Sequence, residues 1–269
     1  MKIKSNVHTH TTFCDGKNTV DEMVEEAVAR GFDTIGFSGH SYTPFDTSYC
    51  MKDVEGYVAA VKAAKEKYRG KIDVLCGIEA DFYGEFDQSL FDFVIGSVHY
   101  LKKDGEFYPI DESEKSFDYL LNNVFGGDFL LLAENYFSAV TQMAEKIKPD
   151  ILGHFDLIAK FNDGNRFFDE NDERYKKMAL DAVGKIDEKI VFELNLGAMY
   201  KGYRLAPYPQ RFVLDRLCEL NRPLVISSDA HDKKTLGRYF DDMADYLKDV
   251  GFSYVKVMTK NGFKNKKIR

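Results

Sequence analysis

Residues 3–10 read Ile3-Lys-Ser-Asn-Val-His-Thr-His10, a short run rising through Val7 to two imidazoles spaced i and i+2. Side chains two apart on an extended strand point the same way, so His8 and His10 can chelate one cation. Further apolar, β-branched runs follow at Thr34–Ser38, Val74–Ile78, Phe93–Val98, Ile151–Gly153, Ile190–Leu194 and Leu224–Ser227. The stretches between them carry helix signals. Thr19 and Glu22 form a capping box ahead of Met23, Val24, Ala27 and Val28, and Gly31 is a stop. Asp53 leads Val54, Tyr57, Val58, Val61 and Ala64 at helical spacing up to Gly70. Strands alternating with helices from end to end predict an α/β fold around a parallel sheet. Seven units predict a distorted, TIM-like (β/α)7 barrel in a single domain spanning residues 1–269. Helical patterns at Phe117–Val124 and Phe129–Ile147, split by Gly126-Gly127, make one crossover longer than the rest and a candidate lid.

With 269 residues and 44% hydrophobic content, the chain can bury one large core. It opens without an apolar leader, and no run approaches the roughly 18 apolar residues that a membrane span needs. The expectation is a soluble, cytoplasmic protein with no membrane contact. Cys14, Cys50, Cys76 and Cys218 are widely spaced and form no CxxC pair, which suits a reducing compartment. A formal net charge of −7 disfavours nucleic acid as a partner and leaves a small molecule as the expected one. The basic stretch Asn261-Gly-Phe-Lys-Asn-Lys-Lys-Ile-Arg269 reads as a frayed, solvated tail.

The chain has six histidines, His8, His10, His40, His99, His154 and His231. Each falls at, or within about four residues of, the C-terminal end of an expected strand, where barrel loops converge on one mouth. A single histidine at a strand end is more often structural than ligating; the coincidence of all of them points to metal. After the last strand, Asp229 and His231 repeat the i, i+2 spacing, and in a closed barrel the first and last strands are neighbours. Asp15 lies in the loop after the first strand. Glu79 ends an apolar run, where a carboxylate needs a partner. Asp81, two residues further out, reads as solvated or as a support behind the ligands. His8, His10, Asp15, His40, Glu79, His99, His154, Asp229 and His231 are more ligands than one ion can use, so two or three divalent ions are expected. Imidazole and carboxylate without thiolate suit Zn, Mn or Fe.

The ordered series His8-Thr9-His10, Asp15-Gly16, Gly39-His40, Gly77-Ile78-Glu79, Gly96-Ser97-Val98-His99, Gly153-His154 and Ser228-Asp229-Ala230-His231 resembles the PHP (polymerase and histidinol phosphatase) family over essentially the whole chain. The resemblance implies a distorted (β/α)7 barrel with three metals. One would be held by His8, His10, Glu79 and Asp229, a second by Asp15, His40 and His231, and a third by Glu79, His99 and His154. Some members carry histidine at the position of Asp15. It also implies hydrolysis of a small phosphomonoester, L-histidinol phosphate to L-histidinol and phosphate, by a metal-bridging hydroxide attacking phosphorus. Asp229 or His231 would protonate the leaving oxygen.

Lys160 and Arg204, with Arg166 as a weaker choice, are candidate phosphate ligands. Glu193, Asn195, Tyr203 and Phe117 are candidates for the amino-alcohol end. Rival readings are a phosphoesterase for nucleotides or phosphotyrosine, a metal-dependent amidohydrolase, and an inactive scaffold. An amidohydrolase usually needs a bridging lysine and an eighth strand, and a scaffold is expected to lack several ligands. Oligomeric state is left open.

Overall fold

The computed structural model describes residues 3–268. Its strands are β1 (Ser5–Asn6), β2 (Thr34–Phe37), β3 (Asp73–Asp81), β4 (Phe93–Ser97), β5 (Tyr100–Lys103), β6 (Glu106–Pro109), β7 (Ile151–Leu152), β8 (Val191–Asn195), β9 (Leu224–Ser227), β10 (Tyr254–Thr259) and β11 (Gly262–Lys267). The helices are α1 (Val20–Ala29), α2 (Val54–Lys67), α3 (Glu114–Tyr119), α4 (Phe129–Ile147), α5 (Glu173–Lys185), α6 (Gly197–Lys201), α7 (Arg211–Glu219) and α8 (Phe240–Val250). One sheet runs β1-β2-β3-β4-β7-β8-β9-β10-β11, and β5-β6 form a separate hairpin. From β1 to β9 every pairing in the large sheet is parallel, as the alternation of strands and helices predicts.

The two ends of that parallel run meet. Thr9 and Ala230 form a parallel bridge, with His10 N donating to Ala230 O at 2.9 Å and Ala230 N to His8 O at 3.2 Å. Towards the other end of these strands β10 stands between them, paired with β9 at Val225 and accepting at Met258 O from Ser5 Oγ (2.9 Å). The barrel is therefore distorted, closed directly only at the rim where the histidines lie.

Local signals act as expected. Thr19 and Glu22 cap α1 reciprocally, and Asp53 accepts from Gly56 N (2.8 Å) to start α2. Two expectations change. Over its described residues the C-terminal basic stretch is not a frayed tail, Arg269 lying outside them: β11 pairs antiparallel with β10 along its length, and its lysines decorate a sheet edge, which discourages edge-to-edge association. The long crossover opens with the unpredicted hairpin β5-β6, and its first helix continues after Tyr119 as a π-helical turn over Leu120–Val124.

Two apolar layers follow from strands buried on both faces. Along β3, Val74, Cys76, Ile78 and Ala80 pack outward against the helices, whereas Leu75 joins Val7, Phe93, Ile95, Ile151, Val191, Val225 and Met258 in a plug inside the barrel. Gly77, Glu79 and Asp81 share the inward parity of Leu75. Gly77 is small because the Phe93 ring fills the space beside it: an added Cβ would sit 2.3 Å from Phe93 Cζ. Gly77→Ala is expected to destabilise the protein by about 1–3 kcal/mol through overpacking, measured by denaturant unfolding. Stability equal to wild type would mean that the plug is loosely packed.

Candidate metal centre

The chemically distinctive side chains reach the rim from the ends of several strands, β1, β2, β3, β4, β7 and β9. Glu79, 1% exposed, is ringed by imidazoles. Its Oε2 lies 3.2 Å from His8 Nε2, 3.6 Å from His10 Nε2 and 3.0 Å from His40 Nδ1. Its Oε1 lies 3.3 Å from His99 Nε2 and 2.9 Å from His154 Nε2, and accepts from Ser97 Oγ at 2.7 Å. Burial alone would favour the neutral acid, yet His8, His40 and His99 outweigh it and hold the carboxyl well below its ordinary range.

The sixth imidazole stands beside this ring. His231 Nε2 is 3.1 Å from Asp15 Oδ2, and its ring stacks on His10 with centroids 3.9 Å apart. Asp15 Oδ1 also faces His10 Nδ1 (3.6 Å) and His40 Nε2 (3.7 Å). Asp229 Oδ1 approaches His10 Nε2 at 3.2 Å and His231 Nδ1 at 3.4 Å. Burial works against ionising Asp229 as well, and His8 and His10 reverse it. His10 shows the opposite balance: burial, then the neighbouring His231 and His40, push its pKa down to about 3, so it stays neutral with a lone pair to give.

Geometrically, these donors fall into groups able to hold a cation: His10, Asp15, His40 and His231; His8, His10 and Asp229; and His40, Glu79 and His99, each set lying within 4.8 Å. The chemistry fits. His8 Nε2, His10 Nε2, His40 Nδ1 and Glu79 Oε2 are buried and make no hydrogen bond, although all four converge on the same small volume. Unsatisfied buried polar atoms are costly, and such a crowd of convergent nitrogen and oxygen donors is what a cation would relieve.

Groups that sequence reasoning overlooked or misjudged lie behind the ring. Glu193, expected as a candidate for the amino-alcohol end, is fully buried and takes His8 Nδ1 (2.6 Å), His154 N (2.9 Å), Asn195 Nδ2 (2.9 Å) and Ser227 Oγ. It fixes the His8 tautomer so that Nε2 faces the cluster. Asp81, read as solvated or as a support behind the ligands, is the support: it is buried and accepts from His99 N at 3.1 Å, with His99 Nδ1 3.3 Å away. Both carboxylates point inward by strand parity, a signal available once the register is known.

Above the ring opens a cavity of about 250 Å³, lined by cluster residues together with Asp46, Tyr49, Tyr100, Asp111, Glu112, Lys160, Lys201 and Tyr208, among others. Lys160 is there, its Nζ bonded to Asp111 O (2.6 Å) and Oδ2 (2.9 Å). Lys201, which sequence reasoning missed, lines it too. Arg204, Asn195 and Tyr203 are not among the lining residues. Arg204 is buried and donates to Ala159 O and to both oxygens of Glu170 (2.8 and 3.1 Å), because a guanidinium taken out of water needs partners within its own loops. Asn195 Nδ2 reaches Asp229 Oδ2 at 3.3 Å, and the Tyr203 ring lies 5.3 Å from Lys160 Nζ. Arg166 pairs with Glu114 (2.5 Å), and Phe117 packs edge-on to Phe167. The wall beside Tyr100 comes from the hairpin and residues 109–112; among the described residues, none of 113–148, the candidate lid, lines the cavity.

A family model for the PHP domain matches residues 6–196. The chain belongs to the PHP family. Among its curated relatives, the histidinol-phosphatase of Bacillus subtilis is 26% identical over 264 residues, covering 88% of this chain and 97% of that protein. A protein of Deinococcus radiodurans named "Probable histidinol-phosphatase" is 30% identical over 260 residues, covering 91% and 92%. Among solved structures, one from Listeria monocytogenes, provisionally named a histidinol phosphatase, superposes with a TM-score of 0.72 at 26% identity, covering 87% of this chain and 98% of that one. A histidinol phosphate phosphatase from Lactococcus lactis, solved with zinc, L-histidinol and phosphate, shares the fold at a TM-score of 0.66 and 18% identity, covering 97% and 99%.

Gly197 opens α6 directly against the cluster, and an added Cβ would lie 2.6 Å from Asp229 Oδ2. Gly197→Ala is expected to weaken divalent-cation binding by about tenfold or more while the chain stays folded, read by titrating metal-stripped protein. Unchanged affinity would show that Asp229 does not hold a cation.

Proposed function

We propose that the protein is a metal-dependent phosphomonoesterase that hydrolyses L-histidinol phosphate to L-histidinol and phosphate. The observation that carries this reading is Glu79, a buried carboxylate with imidazoles from four strand ends around it and unpartnered lone pairs at its centre, at the foot of a cavity that also holds a lysine. The relatives named histidinol-phosphatase, and the Lactococcus lactis structure with its ligands, support the choice of substrate.

In this reading two or three ions of Zn, Mn or Fe are held by His8, His10, Asp15, His40, Glu79, His99, His154, Asp229 and His231. Such ions supply an activated water and offset charge on the phosphoryl oxygens. The chain's own residues do the rest. Glu193 and Asp81 keep His8 and His99 turned to the cluster. Lys160, held by Asp111, presents a cation to a phosphoryl oxygen, and Lys201, at the end of α6, offers a second. Asp229 and His231 are the groups placed to deliver a proton to the leaving alkoxide oxygen. Asn195 steadies Asp229. A small-molecule enzyme of a reducing compartment accords with the thiols of Cys14, Cys50 and Cys76, which are free. No helix among the described residues is long and apolar enough to cross a membrane.

The test is a phosphate-release screen over histidinol phosphate, nucleotides and a phosphotyrosine peptide, with metal content measured on the same sample. Histidinol phosphate should be preferred. Release from nucleotides alone would overturn the substrate and keep the chemistry; full activity without metal would overturn both. Glu79→Gln should lower kcat by on the order of a hundredfold or more and reduce bound metal, since a neutral amide cannot balance the ring. Lys160→Met should raise KM about tenfold with metal content intact, and metal loss there would make Lys160 a structural residue.

A further inference from the structure

Tyr208 is 2% exposed, lines the cavity, and its hydroxyl has no hydrogen-bond partner among the described residues. Its backbone is clamped to the end of β8 by a two-bond bridge, Asn195 N to Tyr208 O (2.8 Å) and Tyr208 N to Asn195 O (3.0 Å). The strand end that carries Glu193 and Asn195 thus fixes the Tyr208 ring as well, 6.5 Å from the His154 ring. A buried hydroxyl without a partner is costly, because it has given up its bonds to water. Holding one rigidly at the wall of a reactive cavity therefore calls for a partner that arrives from outside. Burial raises its pKa far above the ordinary tyrosine value, so the group stays a proton donor at any working pH.

We propose that the Tyr208 hydroxyl donates a hydrogen bond to a phosphoryl oxygen of the bound ester, a contact that rests on the phosphomonoesterase reading above. The acceptor is an anion, since a charged oxygen gains most from a neutral O–H donor in a dry site. Asp156 Oδ1 and Arg204 Nε are also buried without partners, but neither residue lines the cavity; the Tyr49 hydroxyl shares both properties with Tyr208, and of the two only Tyr208 has its backbone bridged to the end of β8. Asp111 and Lys160 line the same cavity as Tyr208 and supply a cation beside the donor.

The experiment compares wild type with Tyr208→Phe as metal-loaded proteins, using inorganic phosphate as the probe in calorimetry, alongside phosphate release, metal content and thermal melting. The expected result is a loss of phosphate affinity of about tenfold to a hundredfold and a similar fall in kcat/KM. Metal content should be unchanged, and the melting temperature equal to or above wild type, because the lost hydroxyl had no partner. Phosphate affinity within twofold of wild type would overturn the proposal. So would a clear fall in melting temperature, which would assign the hydroxyl to an internal network with Asp156 and Arg204. If the wild type binds phosphate through Tyr208 yet leaves histidinol phosphate intact, the contact stands and the substrate reading fails.

Discussion

The structure depends on one buried negative charge. An ionised carboxylate with almost no exposure is tolerable only if positive charge or strong donors surround it, and Glu79 has imidazoles from the segments after β1, β2, β4 and β7 within 3.6 Å. None of those histidines is near Glu79 in sequence. Their convergence requires parallel strands in register, so that successive chain reversals end at one height, and it requires the first and last units to meet. The barrel rim supplies both. The apolar plug beneath, built around Phe93, keeps the floor rigid and dry, which strengthens every charge interaction above it.

A second tier of carboxylates makes the arrangement specific. Glu193 and Asp81 do not merely add charge. Each bonds a backbone N–H and faces an imidazole Nδ1, so each ties ring orientation to main-chain position. A histidine with Nδ1 committed in this way can offer only Nε2 to the centre. The same logic explains why β8 carries Glu193 and Asn195 at alternate positions: both side chains point into the barrel, one steadying His8 and the other Asp229.

Much of this was legible in the sequence, for physical reasons that differ from residue to residue. The strands announced themselves as short apolar runs, and the histidines and Asp229 follow those runs directly, so their convergence needed only the assumption of a closed parallel barrel. Glu193 and Arg204 were misjudged because sequence position places a residue near the rim without saying which way its side chain turns. Register settles that for Glu193, and the pull of Glu170 settles it for Arg204. The hairpin β5-β6 had a signal that went unused: Asp104-Gly105 between alternating residues favours a tight turn, and both residues adopt positive φ, 52° and 92°. The last strand was harder, since its lysines mimic a solvated tail until β10 is known to offer it a partner.

The closure of the barrel also explains a strained residue. Asp229 is held at φ 49°, a left-handed conformation that costs a non-glycine residue about 1–3 kcal/mol. It is bracketed by anchors: Ser228 N donates to Asn6 Oδ1 at 2.9 Å, and Ala230 bridges Thr9. Asn6 in turn donates to Thr9 Oγ1 at 2.7 Å, so one side chain of β1 fixes both its own strand end and the last one. Asp229 and His231 enter the site through these stitches to the first strand, at the seam where the barrel closes.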